Sequence, residues 1–576
     1  MAPEKRWVVL PDPPQTFFDE FPELPKVAAR LLYHRGLTTE ETIDEFLEPE
    51  WNRHIHDPFL FKDMKRAVER LERAIKTGEQ ITIHGDYDAD GVSASVILYT
   101  TLQALDGKVN VFLPHRETDG YGVNKNTVAL LASEGTKLMI TCDCGIASVE
   151  EITEGNKLGI DTIITDHHMM KEVLPPAYAI LHPKVTGETY PFKDLAGGGV
   201  AYKLAQALLR ALGKNAPRIS DIEAFEKWLL DMVTTSTIGD MVPLKGENHT
   251  LVRYGLMVLN KTKRLGLQKL IEVAALTPGQ IGTGQVSFQI VPRINAAGRM
   301  NHANVAFKLL VEQDEKRATE LALELNGNNK DRQKMTEFIM RELSPQVQAQ
   351  KDKKILILAG NDWPLGLVGL LAGKLMEAEQ KPCIILTMNK GDLAGSGRSL
   401  GGISLLDIFA ASGDTVKQFG GHNQAAGLRL VSPEILSEFQ KRAWDFVARE
   451  RAGNPYLPEL KIDAEINLED VHWELYDVLQ RLEPFGMENP EPRYLARSLT
   501  VAGIQPVGND GKHLRLMVRH NNEVVRKCIG FSFGQWFERL KVGDKIDMVF
   551  EVGVNEWNGN RELQLKIVDL RLSSRT

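Results

Sequence analysis

Cysteine is scarce in this chain. Four among 576 residues, Cys142, Cys144, Cys383 and Cys528, cannot form a disulfide framework at this length, and they read as small buried apolar side chains. Cys142 and Cys144 flank Asp143 as half of a zinc site would, but strand alternation points both away from the Asp143 side. No apolar run reaches the length of a membrane span, and Met1-Ala-Pro-Glu-Lys-Arg-Trp7 lacks the apolar core of a secretory signal, so the cytoplasm is the expected location. A strong positive charge is also missing. Against 77 Asp or Glu stand 69 Lys or Arg, a net of −8, which by itself argues against a nucleic-acid partner. The distribution says more than the sum: from Arg493 to Thr576, 14 Lys or Arg face 9 Asp or Glu, a net of +5 that leaves −13 elsewhere. An acidic body with a basic tail fits both numbers, as does a solvated basic face.

What is present is an ordinary globular balance, 43% hydrophobic and 25% charged, in a chain long enough for three or four domains. Its most unusual stretch is Ile81 to Gly91, Ile-Thr-Ile-His-Gly-Asp-Tyr-Asp-Ala-Asp-Gly. A short β-branched run ends in His84, Asp86, Asp88 and Asp90, and a helical stretch from Ser93 to Leu105 follows. The acids are thus expected in a strand-to-helix loop, where α/β sheets keep their ligands. A single Asp there is a turn former or helix cap. Three carboxylates this close repel one another, and burying them together unpaired is costly. A divalent cation removes that cost, and hard oxygens beside imidazole suit manganese, magnesium or zinc better than a thiophilic metal.

The design recurs twice. Leu138 to Cys142 reads as a buried strand that delivers Asp143, and Asp161 to Thr165 as another that delivers Asp166, His167 and His168. Helical segments at Asn126 to Glu134 and Ser148 to Leu158 supply crossovers, and right-handed βαβ connections bring the three strand ends to one edge of a parallel sheet.

Other segments are less specific. An amphipathic helix at Met64 to Lys76 precedes the first of these strands, and Arg116 follows a strand at Lys108 to Leu113, as a surface residue or as a phosphate fork. Leu195-Ala-Gly-Gly-Gly-Val-Ala201 suits an anion loop or close helix packing equally. Asp240 ends a helical segment from Ala224 to Ser236. Residues 303–350 read as helical, broken at Asn326-Gly-Asn-Asn329. A second α/β unit opens with strands Lys354 to Leu358 and Cys383 to Leu386, and Gly395-Ser-Gly-Arg-Ser399 and Gly420-Gly-His422 read as loops whose N–H groups meet an anion. Asn454-Pro-Tyr-Leu-Pro458 reads as a linker. Short alternating runs after Arg497 suggest a small barrel, on which Phe531, Phe533, Trp536 and Trp557 stack bases or fill the core and Arg515, Arg526 and Lys527 track phosphates.

The set as a whole resembles the DHH phosphoesterase superfamily. His84-Gly-Asp-Tyr-Asp-Ala-Asp-Gly91, Asp143 and Asp166-His-His168 carry the likeness, with Pro114-His-Arg116, Asp240, Arg293-Ile-Asn-Ala-Ala-Gly-Arg299, Gly395-Ser-Gly-Arg398 and Gly420-Gly-His422 in the order of the RecJ exonucleases. The resemblance implies an α/β fold. A helical lead (1–60) precedes a DHH catalytic domain with a parallel sheet (61–300), a long connecting helix (301–350), a DHH-associated α/β domain (351–453) and a C-terminal OB-fold barrel (454–576). It implies hydrolysis of single-stranded DNA from the 5′ end to mononucleotides, with two divalent cations, Mn or Mg. His84, Asp88 and Asp143 would hold one, and Asp90, Asp143, His167 and Asp240 the other. His168 would orient the phosphate, Asp86 would support the ligands, and Arg116, Arg299, Ser396, Arg398 and His422 would bind substrate phosphates. Single-stranded DNA is the implied partner, with a single-strand-binding protein and a helicase as protein partners. Two alternatives share the fold: a phosphoesterase for short oligonucleotides or cyclic dinucleotides, which has no need of a barrel, and a replication scaffold, whose metal acids are lost.

Overall fold

The computed structural model describes residues 5–116, 118–389, 391–452, 457–520, 524–557 and 560–573; residues 454–456 of the expected linker and the Trp557 side chain lie outside the described residues. The chain forms two compact units, one from Ile55–Val242 and Leu251–Pro458, the other from Glu4–His54, Pro243–Thr250 and Glu459–Thr576.

In the first unit five parallel strands, β1 Gln80–His84, β2 Val109–Phe112, β3 Thr136–Cys142, β4 Asp161–Thr165 and β5 Ala179–Leu181, lie in the order β2-β1-β3-β4-β5. Ile81, Ile83, Leu138, Met139, Ile140, Ile163 and Ile164 are fully buried, the unbroken apolar run of strands covered on both faces. Helices Lys125–Ser133 and Val149–Lys157 make the expected crossovers. After β1 the chain steps to β2 on one side and returns to β3 on the other, so the ends of β1 and β3 form the switch point where loops part and leave a crevice. Register pairs His84 with Thr141 and Cys142 with Thr165, which sends Asp86, Asp143 and Asp166 off neighbouring strands at one edge.

Three helices cover that edge: α1 Ala89–Ala104, α2 Gly197–Leu212 and α3 Leu230–Gly239. The first begins four residues earlier than Ser93, because Asp88 caps it, its Oδ1 accepting from the N–H groups of Asp90 (3.0 Å) and Gly91 (3.1 Å). Asp90 therefore stands in the first helical turn and not in the loop. The single helix expected over Ala224 to Ser236 is two. Ile222–Trp228 buries no residue fully while Leu230 to Ile238 are all buried, and the turn at Leu229 lets one segment remain at the surface.

Two further helices, α4 Val291–Met300 and α5 Glu315–Ala349, pack on each other. The break expected at Asn326-Gly-Asn-Asn329 is absent: α5 runs unbroken through that quartet and through Pro345. Burial of Leu321, Ala322, Leu325, Asn326 and Asn329 outweighs their weak propensity there. The second sheet contains β6 Leu356–Asn361, β7 Cys383–Asn389, β8 Asp392–Arg398, β9 Val416–His422 and β10 Ala425–Leu430, ordered β9-β10-β8-β7-β6, with only β6 and β7 parallel. Gly395 to Arg398 and Gly420 to His422, expected as loops, are thus strand. Glycine serves close approach here: a Cβ on Gly395 would lie 2.0 Å from the Ile385 carbonyl oxygen of β7.

In the second unit, strands Tyr494–Val507, His513–His520, Val524–Gly530, Asn560–Leu572 and Lys545–Trp557 bond in that order, and the last returns to the first to close a barrel. The lead segment is helical as expected, with Lys26–His34 and Glu40–Leu47, and also supplies a strand, Arg6–Val9, parallel to Glu459–Ile462. Phe17, Leu31, Leu32 and Phe46 share one apolar core with Leu516, Met548 and Phe550. Arg35 is buried beside them. It donates to Asn489 Oδ1 (2.6 Å) and to the carbonyls of Leu31 (2.9 Å) and Pro490 (2.6 Å), with Asp463 at 3.7 Å. Arg35→Ala leaves those acceptors dry and unpaired, so urea unfolding is expected to read a loss of about 3 kcal/mol; an unchanged midpoint would contradict this account of the unit's core.

Candidate active site

Each loop at the switch point holds its acid by a local device. Asp143 takes a left-handed backbone, φ +61°, directly after β3, which turns its carboxylate out of the strand's alternation. Asp90 is gripped at both oxygens: Gly197 N–H donates to Oδ2 (2.8 Å), and Gly198 N–H (2.7 Å) and Ser236 Oγ (2.6 Å) to Oδ1. The glycine-rich segment is thus an anion site whose anion is the protein's own Asp90. A Cβ on Gly197 would lie 2.6 Å from the Asp143 Cβ, and one on Gly198 would lie 2.4 Å from Ser236 Oγ.

The expected residues converge. His167 Nε2 lies 3.1 Å from Asp143, 3.5 Å from Asp240 and 3.6 Å from Asp90. Ligand atoms fall within 4.8 Å of one another in three groupings: Asp90, His167 and Asp240; Asp143, His167 and His168; and Asp86, Asp88 and Asp143. His84 enters none of these among the described residues. Its ring is fully buried, 5.3 Å from Phe112 and with Nδ1 3.7 Å from Cys144 Sγ, and burial lowers its pKa to about 4. The structure draws Asp86 toward Asp88 and Asp143 where His84 was expected. The four cysteines are free and buried.

Electrostatics show what the pocket can hold. Burial first, then the neighbouring carboxylates, push Asp86, Asp88 and Asp143 above the usual carboxylate range, and the same causes lift Asp240 to about 8. Asp86 Oδ1 is buried with no hydrogen-bond partner. Burial holds His167 near 4, so its imidazole is neutral and free to ligate. Hard acids, an orphaned carboxylate oxygen and a neutral imidazole fit divalent cations. His168 differs. Burial lowers its pKa, but Asp166, 2.9 Å from Nδ1, outweighs burial and raises it to about 9. Tyr121 approaches the same nitrogen at 2.9 Å. Asp166 thus favours the protonated form of His168.

One residue away lies a pocket of opposite charge. Tyr87, between Asp86 and Asp88, carries the Arg116 guanidinium over its ring at 4.1 Å. Arg116, Arg299, Ser396 and Arg398 line a cavity of about 520 Å³ that includes no acid. Arg116 Nε is buried without a partner; Arg299 donates to the Gly366 carbonyl (2.7 Å), and Arg398 to Ser396 Oγ (2.9 Å). Burial, then Arg116, pushes Arg299 down to about 10. Such a group of under-neutralised guanidiniums is built for an anion. His422 is exposed on β9 and lines no part of this cavity.

Family models match three segments: the DHH family N-terminal domain at 80–237, the DHHA1 domain at 352–449 and the RecJ OB domain at 462–569. The single-stranded-DNA-specific exonuclease RecJ of Bacillus subtilis is 36% identical over 550 residues, covering 95% of this chain and 68% of that protein. The chain belongs to the RecJ family. RecJ of Thermus thermophilus is 31% identical, covering 99% of this chain and 79% of that one. The crystal structure of Thermus thermophilus RecJ in complex with Mn²⁺ superposes with a TM-score of 0.84 at 29% identity, covering 99% and 80% of the two chains. An exonuclease RecJ bound to manganese gives 0.59 at 34% identity, over 68% of this chain and 95% of that one.

Two contacts of this RecJ site are not legible in the sequence. Ser236 is one hydroxyl in a helix with no signal of its own, and Asn295, though inside the Arg293-to-Arg299 motif, gives no hint that its Oδ1 accepts from Ala89 N–H (2.7 Å) and anchors the acid loop across a gap of two hundred residues. The repulsion has a measurable consequence. Asp143→Asn removes one buried charge, so in EDTA at neutral pH the variant is expected to be more stable than the parent by at least about 1 kcal/mol. It is also expected to lose the extra stabilisation that Mn²⁺ confers on the parent. A destabilised, Mn²⁺-responsive variant would contradict the charge assignment.

Proposed function

We propose that this RecJ-family chain is a metal-dependent exonuclease that removes 5′-mononucleotides from single-stranded DNA. The observation that carries the reading is the juxtaposition of an acid–imidazole pocket and an acid-free arginine pocket, joined where the Arg116 guanidinium lies over the ring of Tyr87. The two are close enough that Arg116 lowers, and burial and Asp90 raise, the pKa of Asp88.

Asp88, Asp90, Asp143, His167 and Asp240, with Asp86, are the groups that would hold two divalent cations, Mn²⁺ or Mg²⁺. Bound there, the cations supply Lewis acidity toward the phosphodiester and lower the pKa of water. Everything else belongs to the chain. Gly197, Gly198 and Ser236 fix the Asp90 oxygens. His168, kept protonated by Asp166, donates to a non-bridging phosphate oxygen as charge builds there. Arg116, Arg299, Ser396 and Arg398 seat the terminal 5′-phosphate, which leaves the next phosphodiester over the acids. Water adds to that phosphorus as the bond to the 3′-oxygen breaks. The departing nucleotide keeps its 5′-phosphate, and the shortened strand gains a new one that can take the same seat. Polarity thus follows from an anchor for the terminal phosphate.

A long strand as substrate is supported by the barrel, which a dinucleotide hydrolase does not need. A helicase that opens duplexes and a single-strand-binding protein that covers the product are the protein partners proposed, in the cytoplasm. Among the described residues no helix is long and apolar enough to cross a membrane.

An end-labelled strand tests the reading: a 5′ label is expected to leave first, as mononucleotide, and early release of a 3′ label would refute it. Arg398→Ala is expected to cut kcat/KM on a 5′-phosphorylated strand about 100-fold, with a far smaller loss on a 5′-hydroxyl strand. Equal losses on both would remove Arg398 from the terminal seat.

A further inference from the structure

The quartet Asn326-Gly-Asn-Asn329 sits unbroken in α5 although Asn and Gly are poor helix formers. Packing does not explain all of it. A Cβ on Gly327 would meet nothing within 4 Å, and Asn328 Nδ2 is buried without a hydrogen-bond partner. Two of the carboxamides hold arginines. Asn326 Oδ1 accepts from Arg293 Nε (3.2 Å), and Asn329 Oδ1 accepts from Nε (3.2 Å) and Nη2 (3.0 Å) of Arg332. Arg293 also donates to the Gln289 carbonyl (2.7 Å).

Neutral acceptors set this pair apart from the unit's carboxylate-paired arginines and beside Arg299 and Arg398, which also donate to uncharged oxygens. Arg70 pairs with Asp161 (2.6 Å) and Glu79 (2.7 Å), and Arg264 with Asp231 (3.3 Å). Among the described residues Arg293 and Arg332 have no carboxylate partner, and burial alone lowers their pKa values. A carboxamide orients a guanidinium without cancelling its charge. Residues 326 and 329 stand three apart on one helix face, so both arginines are presented from that face. Arg332 lies near enough to Arg299 to be one of the charges that depress it, which joins the pair to the terminal-phosphate pocket.

We propose that Arg293 and Arg332, positioned by Asn326 and Asn329, bind backbone phosphates of the strand beyond its 5′-terminal nucleotides. The inference rests on the exonuclease reading for its ligand. It makes α5 a binding surface for the backbone of single-stranded DNA as well as a connector.

Fluorescence anisotropy in EDTA, without cleavage, is the test, with a 5′-phosphorylated strand of about 20 nucleotides and a 5′-phosphorylated dinucleotide. Arg293→Gln and Arg332→Gln are each expected to raise Kd for the long strand about tenfold and to reduce the slope of log K against log salt by about 0.7. Dinucleotide Kd should stay within twofold. Asn329→Asp supplies the missing carboxylate, so its melting temperature should hold or rise while long-strand binding weakens with the same loss of slope. A purely structural role for the pair predicts the opposite, an Asp that leaves binding intact. Unchanged salt slopes in both Gln variants, or wild-type binding by Asn329→Asp, would overturn the proposal. Failure of the exonuclease reading is seen separately, as wild-type protein with Mn²⁺ that leaves every single strand intact, and the binding arms still decide the arginines.

Discussion

Mutual repulsion among buried carboxylates is the constraint on which the rest of the first unit depends. Asp86, Asp88, Asp90 and Asp143 come off two adjacent parallel strands at a switch point, and Asp240 arrives from a helix end. Without a counter-charge these groups would be driven apart or protonated. The fold opposes this with fixed hydrogen-bond donors at Asp90 and Asp88 and with a backbone turn at Asp143. Such rigidity is useful only if something positive sits among the acids. Asp166 is the instructive contrast: the hydrogen bond from His168, with backbone N–H groups, outweighs burial and holds it below the usual carboxylate range.

The arginine pocket follows the opposite logic. Acids gather in one place and Arg116, Arg299 and Arg398 in another that no acid lines, and under the proposed function both face a substrate that is itself a polyanion needing metal and guanidinium. Under the proposed function the spacing of the two halves would decide which phosphate is cut, and reading a terminus rather than a base would explain how one site can accept any sequence. Chemistry and end recognition are therefore one arrangement, built from loops of the parallel sheet on one side and from β8 and α4 on the other.

Much of this was legible in the amino-acid order, and the parts that were not share a cause. Parallel strands buried on both faces leave continuous apolar runs, so β1, β3 and β4 and the acids after them could be read directly. Arg116, Arg299, Ser396 and Arg398 were likewise expected together. What local pattern could not reveal was set by distant contacts. The pairing of Arg6–Val9 with Glu459–Ile462 spans most of the chain. The quartet in α5 looks like a helix break until its burial against α4 is known, and the glycines of β8 look like a loop until β7 is laid against them. That Asp86 and not His84 falls with Asp88 and Asp143 depends on the path of a single loop, and the role of Gly197 and Gly198 depends on a carboxylate more than one hundred residues away.

The claim beneath all of this is that cations make the acid pocket possible. Manganese titration followed by electron paramagnetic resonance tests it most directly. The account predicts two tightly held ions per chain, magnetically coupled as ions sharing one set of acids at about 4 Å would be. Weak, uncoupled binding at any stoichiometry would contradict it.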